Sequence, residues 1–192
     1  MKSIFEHIAS RYLLLLVPTI VVSGTGSASA EAPTPERASI ATSVVTPFFG
    51  AYYLEGKLRA LHSVAVVVNA SYLTLANDGW TSRAGTAGFG VDYFFRGNAL
   101  RGWYAEAIGE VWLTSRRHEA SREVAPTGYG YAGVALAGYQ FVWRRGPVLD
   151  LGAGVVAFHV PKAAVELGGE FVRSASVNRI YPAAKVNIGW AF

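Results

Sequence analysis

A strict alternation of side-chain types, with a period of two residues, is the feature of this sequence that most limits its fold. In WYAEAIGEVWLT, residues 103–114, bulky and small apolar side chains alternate with a row that includes Glu106 and Glu110. Because a strand points successive side chains to opposite faces, both glutamates share one face, whereas a helix would scatter them. The segment is therefore predicted to be a β-strand.

The composition of the two faces distinguishes between kinds of β protein. The same alternation recurs in residues 63–71, 88–96, 131–144 and 148–158, and the second face carries Gly, Ala, Ser and isolated charges. A β-sandwich would need an outer face rich in Lys, Thr and Glu, but only 16% of the residues are charged. Small residues suit a narrow interior and large apolar residues suit lipid, as in a transmembrane β-barrel.

The connections between the predicted strands alternate in length. Short connections near residues 60–61, 97–101 and 145–146 alternate with mostly longer ones at 75–85, 115–128 and 161–178; the one at 46–49 is short. This pattern is typical of barrels with short periplasmic turns and longer extracellular loops. The fold class is therefore predicted to be all-β, an eight-stranded antiparallel up-and-down transmembrane β-barrel, with strands at 38–46, 50–59, 62–74, 86–96, 102–114, 129–143, 147–160 and 179–192.

The first 30 residues are predicted to be a cleavable signal peptide. Lys2 and Arg11 give a positive start, YLLLLVPTIVV at residues 12–22 is an apolar run too short to span a bilayer, and Ala28-Ser29-Ala30 is an A-x-A cleavage site. Residues 31–37 form a polar lead-in, and residues 38–192 form the barrel. Export and an outer-membrane location are therefore expected.

Seven charged residues are predicted to point into the barrel. An eight-stranded barrel is just wide enough for side chains to fill it, so an open channel is not expected. Buried charges are tolerated when they are paired, and Glu55 and Lys185, on the second and last barrel strands, are predicted to pair across the lumen. The predicted interior polar cluster consists of Glu55, Lys57, Asp92, Glu106, Glu110, Asp150 and Lys185.

The predictions for the outside of the barrel concern a girdle of aromatic residues and candidate contact sites in two loops. Gly168-Gly169 predicts a hairpin within residues 161–178 that could recruit a surface protein partner by strand addition. Arg116, Arg117 and Arg122 are candidates for contact with lipopolysaccharide phosphates. Aromatic rings prefer the headgroup level, and the predicted girdle consists of Tyr52, Tyr72, Phe95, Trp103, Trp112, Trp143 and Trp190.

Composition excludes several kinds of site. The absence of cysteine rules out disulfides, thiol nucleophiles and Cys-ligated metals. A net charge of +4 is too small to indicate nucleic acid as a partner. No two histidines have metal-ligand spacing, so neither a metal nor a cofactor is predicted.

The C-terminal segment AKVNIGWAF resembles the terminal-strand signal of bacterial outer-membrane proteins, with Ile188, Trp190 and Phe192 on one face. The barrel-assembly machinery reads that signal and is the partner that the resemblance implies. PFFGAYYLEGKL (47–58), VDYFFRG (91–97) and GYQFVWRRGPVLDLGAGVVAF (138–158) are similar to small OmpA/OmpX-type barrels, most of all to an uncharacterised family of them. The resemblance implies a fold and a membrane but no catalytic residues.

The expected function is a structural or surface-interaction role in the outer membrane, such as adhesion or envelope integrity, with outer-membrane lipid and lipopolysaccharide as surroundings. One alternative is a lipid A-modifying barrel enzyme, although His159 lacks the Ser two residues later that one such deacylase type uses. Another alternative is a narrow pore or small-ligand carrier. No catalytic residue is assigned, and the chain is not expected to be an enzyme.

Overall fold

The computed structural model describes residues 36–77, 80–96, 99–118, 124–144, 146–160, 164–167, 170–173 and 177–192. The predicted signal peptide and residues 31–35 of the lead-in lie outside the described residues. Among the described residues, no helix is long and apolar enough to cross a bilayer. The strands are β1 (Ala38–Ser43), β2 (Ala51–Arg59), β3 (Val64–Asn77), β4 (Trp80–Phe94), β5 (Gly102–His118), β6 (Val124–Val142), β7 (Pro147–Val160), β8 (Ala164–Leu167), β9 (Glu170–Arg173) and β10 (Val177–Ala191).

Eight of these strands form a closed antiparallel barrel. Each of β1 to β6 pairs with the next strand in sequence, β10 pairs with β7, and β1 closes the barrel by pairing with β10. The remaining two strands, β8 and β9, pair with each other as a hairpin within residues 161–178. The predicted eight-stranded antiparallel barrel is confirmed.

The strands of the barrel are strongly staggered. Following the paired residues from Ile40 through β2 to β7 leads to Ile180 on β10, whereas the direct partner of Ile40 on β10 is Trp190. The ladder therefore closes with a shift of ten residues. A barrel with such a stagger has its strands tilted by roughly 35–45° and an interior that side chains can fill.

Several strand ends differ from the predicted ones. The sequence predicts a loop at residues 75–85, yet the β3–β4 ladder continues through Leu75 opposite Ser82 and Ala76 opposite Thr81. The β5 and β6 strands likewise extend into the predicted loop at 115–128. Strand pairing continues there although the apolar alternation has ended, so the sequence pattern gives no signal for it. In contrast, β1 is shorter than predicted, and a 3-10 turn at Thr46–Phe49 follows it.

One end of the barrel is closed by buried side chains. We call the end that carries the connections at 60–63, 95–101 and 143–146 the short-turn end, and the opposite one the long-loop end. Phe94, Leu100 and Tyr104 are fully buried near the short-turn end, with Ala65 and Ala99 packed among them. The Ala99 amide donates to the His62 carbonyl at 2.8 Å, which holds two of these connections together.

Candidate functional site

The interior of the barrel holds a cluster of six buried charged side chains, which we call the interior cluster. Its members come from β2, β4, β5, β7 and β10, so they meet only when the barrel closes. Four carboxylates accompany two ammonium groups. The interior cluster consists of Glu55, Lys57, Asp92, Glu106, Asp150 and Lys185.

Lys57 is the most highly connected residue of the interior cluster. Its Nζ lies 2.7 Å from Asp92 Oδ2 and 2.8 Å from Asp150 Oδ2. It also donates to Gln140 Oε1 at 3.1 Å and lies 3.5 Å from Glu55 Oε1. These contacts come from four strands around the barrel, so one ammonium group bridges opposite parts of the wall.

Lys185 supplies the second cation. Its Nζ lies 2.5 Å from Glu106 Oε2, 3.2 Å from Asp150 Oδ2 and 3.4 Å from Glu55 Oε2. The predicted pairing of Glu55 with Lys185 across the lumen is confirmed. Since Asp150 contacts both lysines, the two cations share anions and the cluster is one connected network.

An aromatic ring and two hydroxyl groups complete this network. Tyr104 Oη donates to Asp150 Oδ1 at 2.5 Å, and its ring centroid lies 4.5 Å from Lys57 Nζ and 5.1 Å from Lys185 Nζ. The ring face therefore stabilises both cations. Tyr53 Oη donates to Glu55 Oε2 at 2.6 Å. Such contacts satisfy the lone pairs that an ion pair alone would leave unpaired in a dry interior.

Glu110, the seventh residue of the predicted polar cluster, lies apart from the other six. It is half-buried and accepts a hydrogen bond from Asn69 Nδ2 at 2.8 Å. Asn69 also lies 3.4 Å from Tyr53 Oη, which links Glu110 to the interior cluster through two neutral side chains. Glu110 therefore depends on a neutral donor where the other carboxylates have a cation.

We expect Asn69→Leu to lower the free energy of unfolding by about 1–3 kcal/mol, because the partly buried Glu110 loses its donor. Ser71→Ala, on the same strand, is the matched control. It removes one side of a partly buried 2.7 Å hydroxyl pair with Thr86 and should cost about 0.5 kcal/mol, less than Asn69→Leu. Urea unfolding followed by tryptophan fluorescence measures both. Equal effects would contradict a special dependence of Glu110 on Asn69.

Aromatic residues mark the outer surface of the barrel, with one correction to the predicted girdle. Trp112 is only 7% exposed and lies inside, because it has the same strand parity as Glu106 and Glu110. Trp112 lies near the end of its predicted strand, where girdle residues are expected, but the alternation of side chains determines whether a residue faces the lumen or the outside. The other members of the predicted girdle are exposed on the outside: Tyr52, Tyr72, Phe95, Trp103, Trp143 and Trp190.

The remaining predicted sites lie at the strand ends. Ile188, Trp190 and Phe192 are exposed along the end of the chain. The side chain of Arg117 is exposed near the end of β5, whereas Arg122 and the side chain of Arg116 lie outside the described residues. The structure describes the backbone of the paired strands β8 and β9 but not residues 168–169 between them, and binding of a partner there stays a prediction.

Sequence reasoning missed the neutral members of the network. Tyr53 and Tyr104 share the strand parity of the interior charges on β2 and β5, and Asn69 and Gln140 lie on the small or polar face of β3 and β6. Alternation therefore already indicated that all four point inward. Their role as partners depends on which residues lie at the same height across the lumen. That relation follows from the stagger of the strands, which alternation alone does not give.

The interior cluster is a packed ion network in which most, but not all, polar atoms have a partner: Asp92 Oδ1 and Gln140 Nε2 are buried without one in the part of the chain that the structure describes. Its carboxylates are held by two lysines and two tyrosines, and their side chains are almost completely buried. Among the described residues, no group of three or more His, Asp or Glu side chains is arranged to hold a metal ion. In comparisons with known proteins, no family model matches the chain, and no curated protein or solved structure is significantly similar to it.

Proposed function

We propose that this protein is a bacterial outer-membrane β-barrel whose interior is filled, and that it has a structural or surface-interaction role. The observation that supports this proposal is the reversed polarity of the barrel. Charged side chains such as Lys57 and Asp150 are buried inside, whereas Leu54, Val68 and Phe89 are exposed on the outside. In water such an apolar outer surface would be a site of aggregation, while in a bilayer it is the required surface.

The height of the apolar outer surface also supports a bilayer as its surroundings. On β6 the exposed rings of Tyr131 and Phe141 are ten residues apart, with Gly133, Ala135, Ala137 and Tyr139 facing outward between them. A strand advances about 3.4 Å per residue, so with a tilt of roughly 40° the two rings are separated by roughly 25 Å along the barrel axis. Apolar bands of outer-membrane barrels are about 25 Å tall and are flanked by aromatic rings.

A role as an open pore is not favoured, because the interior cluster and the buried layer below it close the lumen between its middle and the short-turn end. Asp92, Gln140 and Asp150 are fully buried, and Phe94, Leu100 and Tyr104 pack next to them at the short-turn end. An ion would have to displace lysine ammonium groups held by several carboxylates. Envelope integrity or adhesion through the long-loop end is therefore the role that we favour, with Arg117 and the β8–β9 hairpin as candidate contacts.

Two measurements test this proposal. Protein in isolated outer membranes should migrate faster on a denaturing gel when it is left unheated than when it is boiled, as a stable barrel does. The same protein in planar bilayers should produce no stepwise conductance. Recovery of the chain in the soluble fractions would contradict the membrane location, and regular conductance steps would contradict the filled interior.

A further inference from the structure

The wall of the barrel is much lower at β1 than at β3 to β7. β1 has 6 residues, whereas the strands from β3 to β7 have 14 to 19. The last contact of this part of the chain with β10 is the hydrogen bond from the Val44 amide to the Val186 carbonyl, 3.1 Å long. Within the described residues, no strand pairs with that side of β10 from Ala184 towards the long-loop end.

The opposite border of this gap is β3. β2 begins at Ala51, which is paired with Leu73 of β3, and the Thr74 amide donates to the Gly50 carbonyl at 3.0 Å. β3 continues past these contacts towards the long-loop end. Residues 44–50 cross the base of the gap, and Phe48 in this segment is 87% exposed. We call the gap between β10 and β3 above residues 44–50 the notch.

The edge of β10 at the notch is unsuited to pairing with another strand. The Val186 carbonyl accepts from the Val44 amide, and the Phe192 amide donates to the Ala38 carbonyl. Even-numbered residues of β10 therefore direct their backbone N–H and C=O groups towards β1. Pro182 is even-numbered and is paired in an unbroken register with Val155 of β7, so its missing N–H lies on the notch edge. A proline at such a position discourages strand addition.

The outer surface beside the notch belongs to the apolar belt. Ala184, Pro182 and Ile180 face outward in turn, and Ile180 is 72% exposed. These residues extend six positions beyond Val186, which corresponds to roughly 15 Å along the axis. The notch therefore opens at the level of the apolar belt rather than above it.

The inner surface beside the notch is also apolar. Val134, Val156 and Tyr181 are direct neighbours across β6, β7 and β10, and all three point inward with their side chains only half-buried. The Phe158 ring packs against Tyr181 with centroids 5.9 Å apart. Tyr181 Oη is buried and has no hydrogen-bond partner in the described part of the chain. The exposed part of this side of the lumen, above the interior cluster, is therefore apolar and only partly covered by neighbouring side chains.

We propose that the acyl chain of a membrane lipid enters the upper lumen through the notch and packs against Val134, Val156 and Tyr181. The outer and inner surfaces beside the unpaired edge of β10 are both apolar, and they are continuous with the lipid-facing belt. Hydrocarbon is therefore the occupant that fits the notch. A partner strand is disfavoured by Pro182. This inference rests on the proposed membrane location.

Nitroxide accessibility tests this inference, because the chain has no cysteine and a single introduced cysteine can carry the label. V156C places the label inside the lumen, V155C places it one residue away on the outside, and S115C gives a water-exposed reference near the long-loop end. The full chain is folded into phosphatidylcholine vesicles, and collisions with oxygen and with a water-soluble nickel chelate are measured by electron paramagnetic resonance.

We expect the labels at 155 and 156 both to show an oxygen-to-nickel collision ratio several-fold above that at 115. A nickel-accessible label at 156 would mean a water-filled lumen, and a label at 156 inaccessible to both reagents would mean a packed one. Either result overturns the acyl-chain proposal while the label at 155 continues to support the membrane location. A nickel-accessible label at 155 would overturn the membrane location and the acyl-chain proposal together.

A second variant tests whether the apolar wall holds the lipid. Adding Tyr181→Lys to V156C should move the collision ratio at 156 towards the water-exposed reference, because a charge beside the notch favours water over hydrocarbon. The ratio at V155C carrying the same substitution should not change. An unchanged ratio at both positions would contradict the proposed contact of the acyl chain with Tyr181.

Discussion

Lys57→Met is expected to lower the free energy of unfolding by about 3–5 kcal/mol, the largest effect that we expect from one substitution in this barrel. Lys57 Nζ lies 2.7 Å from Asp92 Oδ2 and 2.8 Å from Asp150 Oδ2, and these carboxylates are fully buried. Methionine fills a similar volume but leaves both carboxylates without their nearest cation. An unpaired buried charge costs more than the intact pair contributed.

A second substitution separates the loss of charge balance from the loss of packing. In Lys57→Met combined with Asp92→Asn, the carboxylate whose only cation in the described part of the chain is Lys57 becomes neutral, so part of the lost stability should return. Asp150 keeps Lys185 as a second cation, 3.2 Å away, in both variants. Arg59→Met, on the same strand but partly exposed, is the matched control and should change stability by no more than about 1 kcal/mol. Urea unfolding in lipid vesicles measures all three variants.

Two outcomes would contradict this account of the interior cluster. A loss below about 1 kcal/mol in Lys57→Met would mean that Asp92 and Asp150 do not depend on Lys57. No recovery in the double variant would mean that the damage comes from altered packing around the uncharged side chain in the lumen rather than from the unpaired charge of Asp92.

The class of fold was predictable from the sequence because strand parity is a local property. The alternation in residues 103–114 assigns Glu106 inward and Trp103 outward without any knowledge of the neighbouring strands. The same alternation assigns Trp112 inward, where the structure has it. The prediction of a girdle position for Trp112 failed because it relied on closeness to a strand end, which says nothing about the face.

The contacts within the lumen were less predictable, because they depend on the stagger of the whole barrel. Glu55 and Lys185 meet since the ten-residue shift brings β2 and β10 to matching heights on either side of β1. The role of Tyr104 between both lysines depends on the same shift. The notch was not predictable either, because the predicted first strand was three residues longer than β1 and would have covered part of the edge of β10.

A methyl group added at Gly154 is the second change from which we expect a large effect. A Cβ at this position of β7 would lie 2.0 Å from the carbonyl oxygen of Ala135 and 2.8 Å from the Cα of Leu136. Both atoms belong to the backbone of the neighbouring strand β6, so no side chain can rotate away. Gly154 therefore allows β6 and β7 to approach closely where the sheet bends around the lumen.

Gly154→Ala is expected to lower the free energy of unfolding by about 3 kcal/mol, the upper part of the range for overpacked sites. Gly133→Ala, on the adjacent strand β6, is the matched control, because a Cβ there would have no atom within 4 Å. We expect the control to lie within about 0.5 kcal/mol of the original protein. The measurements are urea unfolding and the fraction of protein with the compact mobility of a folded barrel on unheated gels.

The comparison of Gly154→Ala with Gly133→Ala also tests the geometry of the wall itself. Both substitutions add the same methyl group to glycines of neighbouring strands, so strand propensity and unfolded-state effects are nearly the same for both. A large difference between them therefore reports the close approach of β6 and β7. Equal stabilities would mean that the two strands have more room at Gly154 than a distance of 2.0 Å from an added Cβ to the Ala135 carbonyl oxygen implies, and that the sheet bends around the lumen elsewhere.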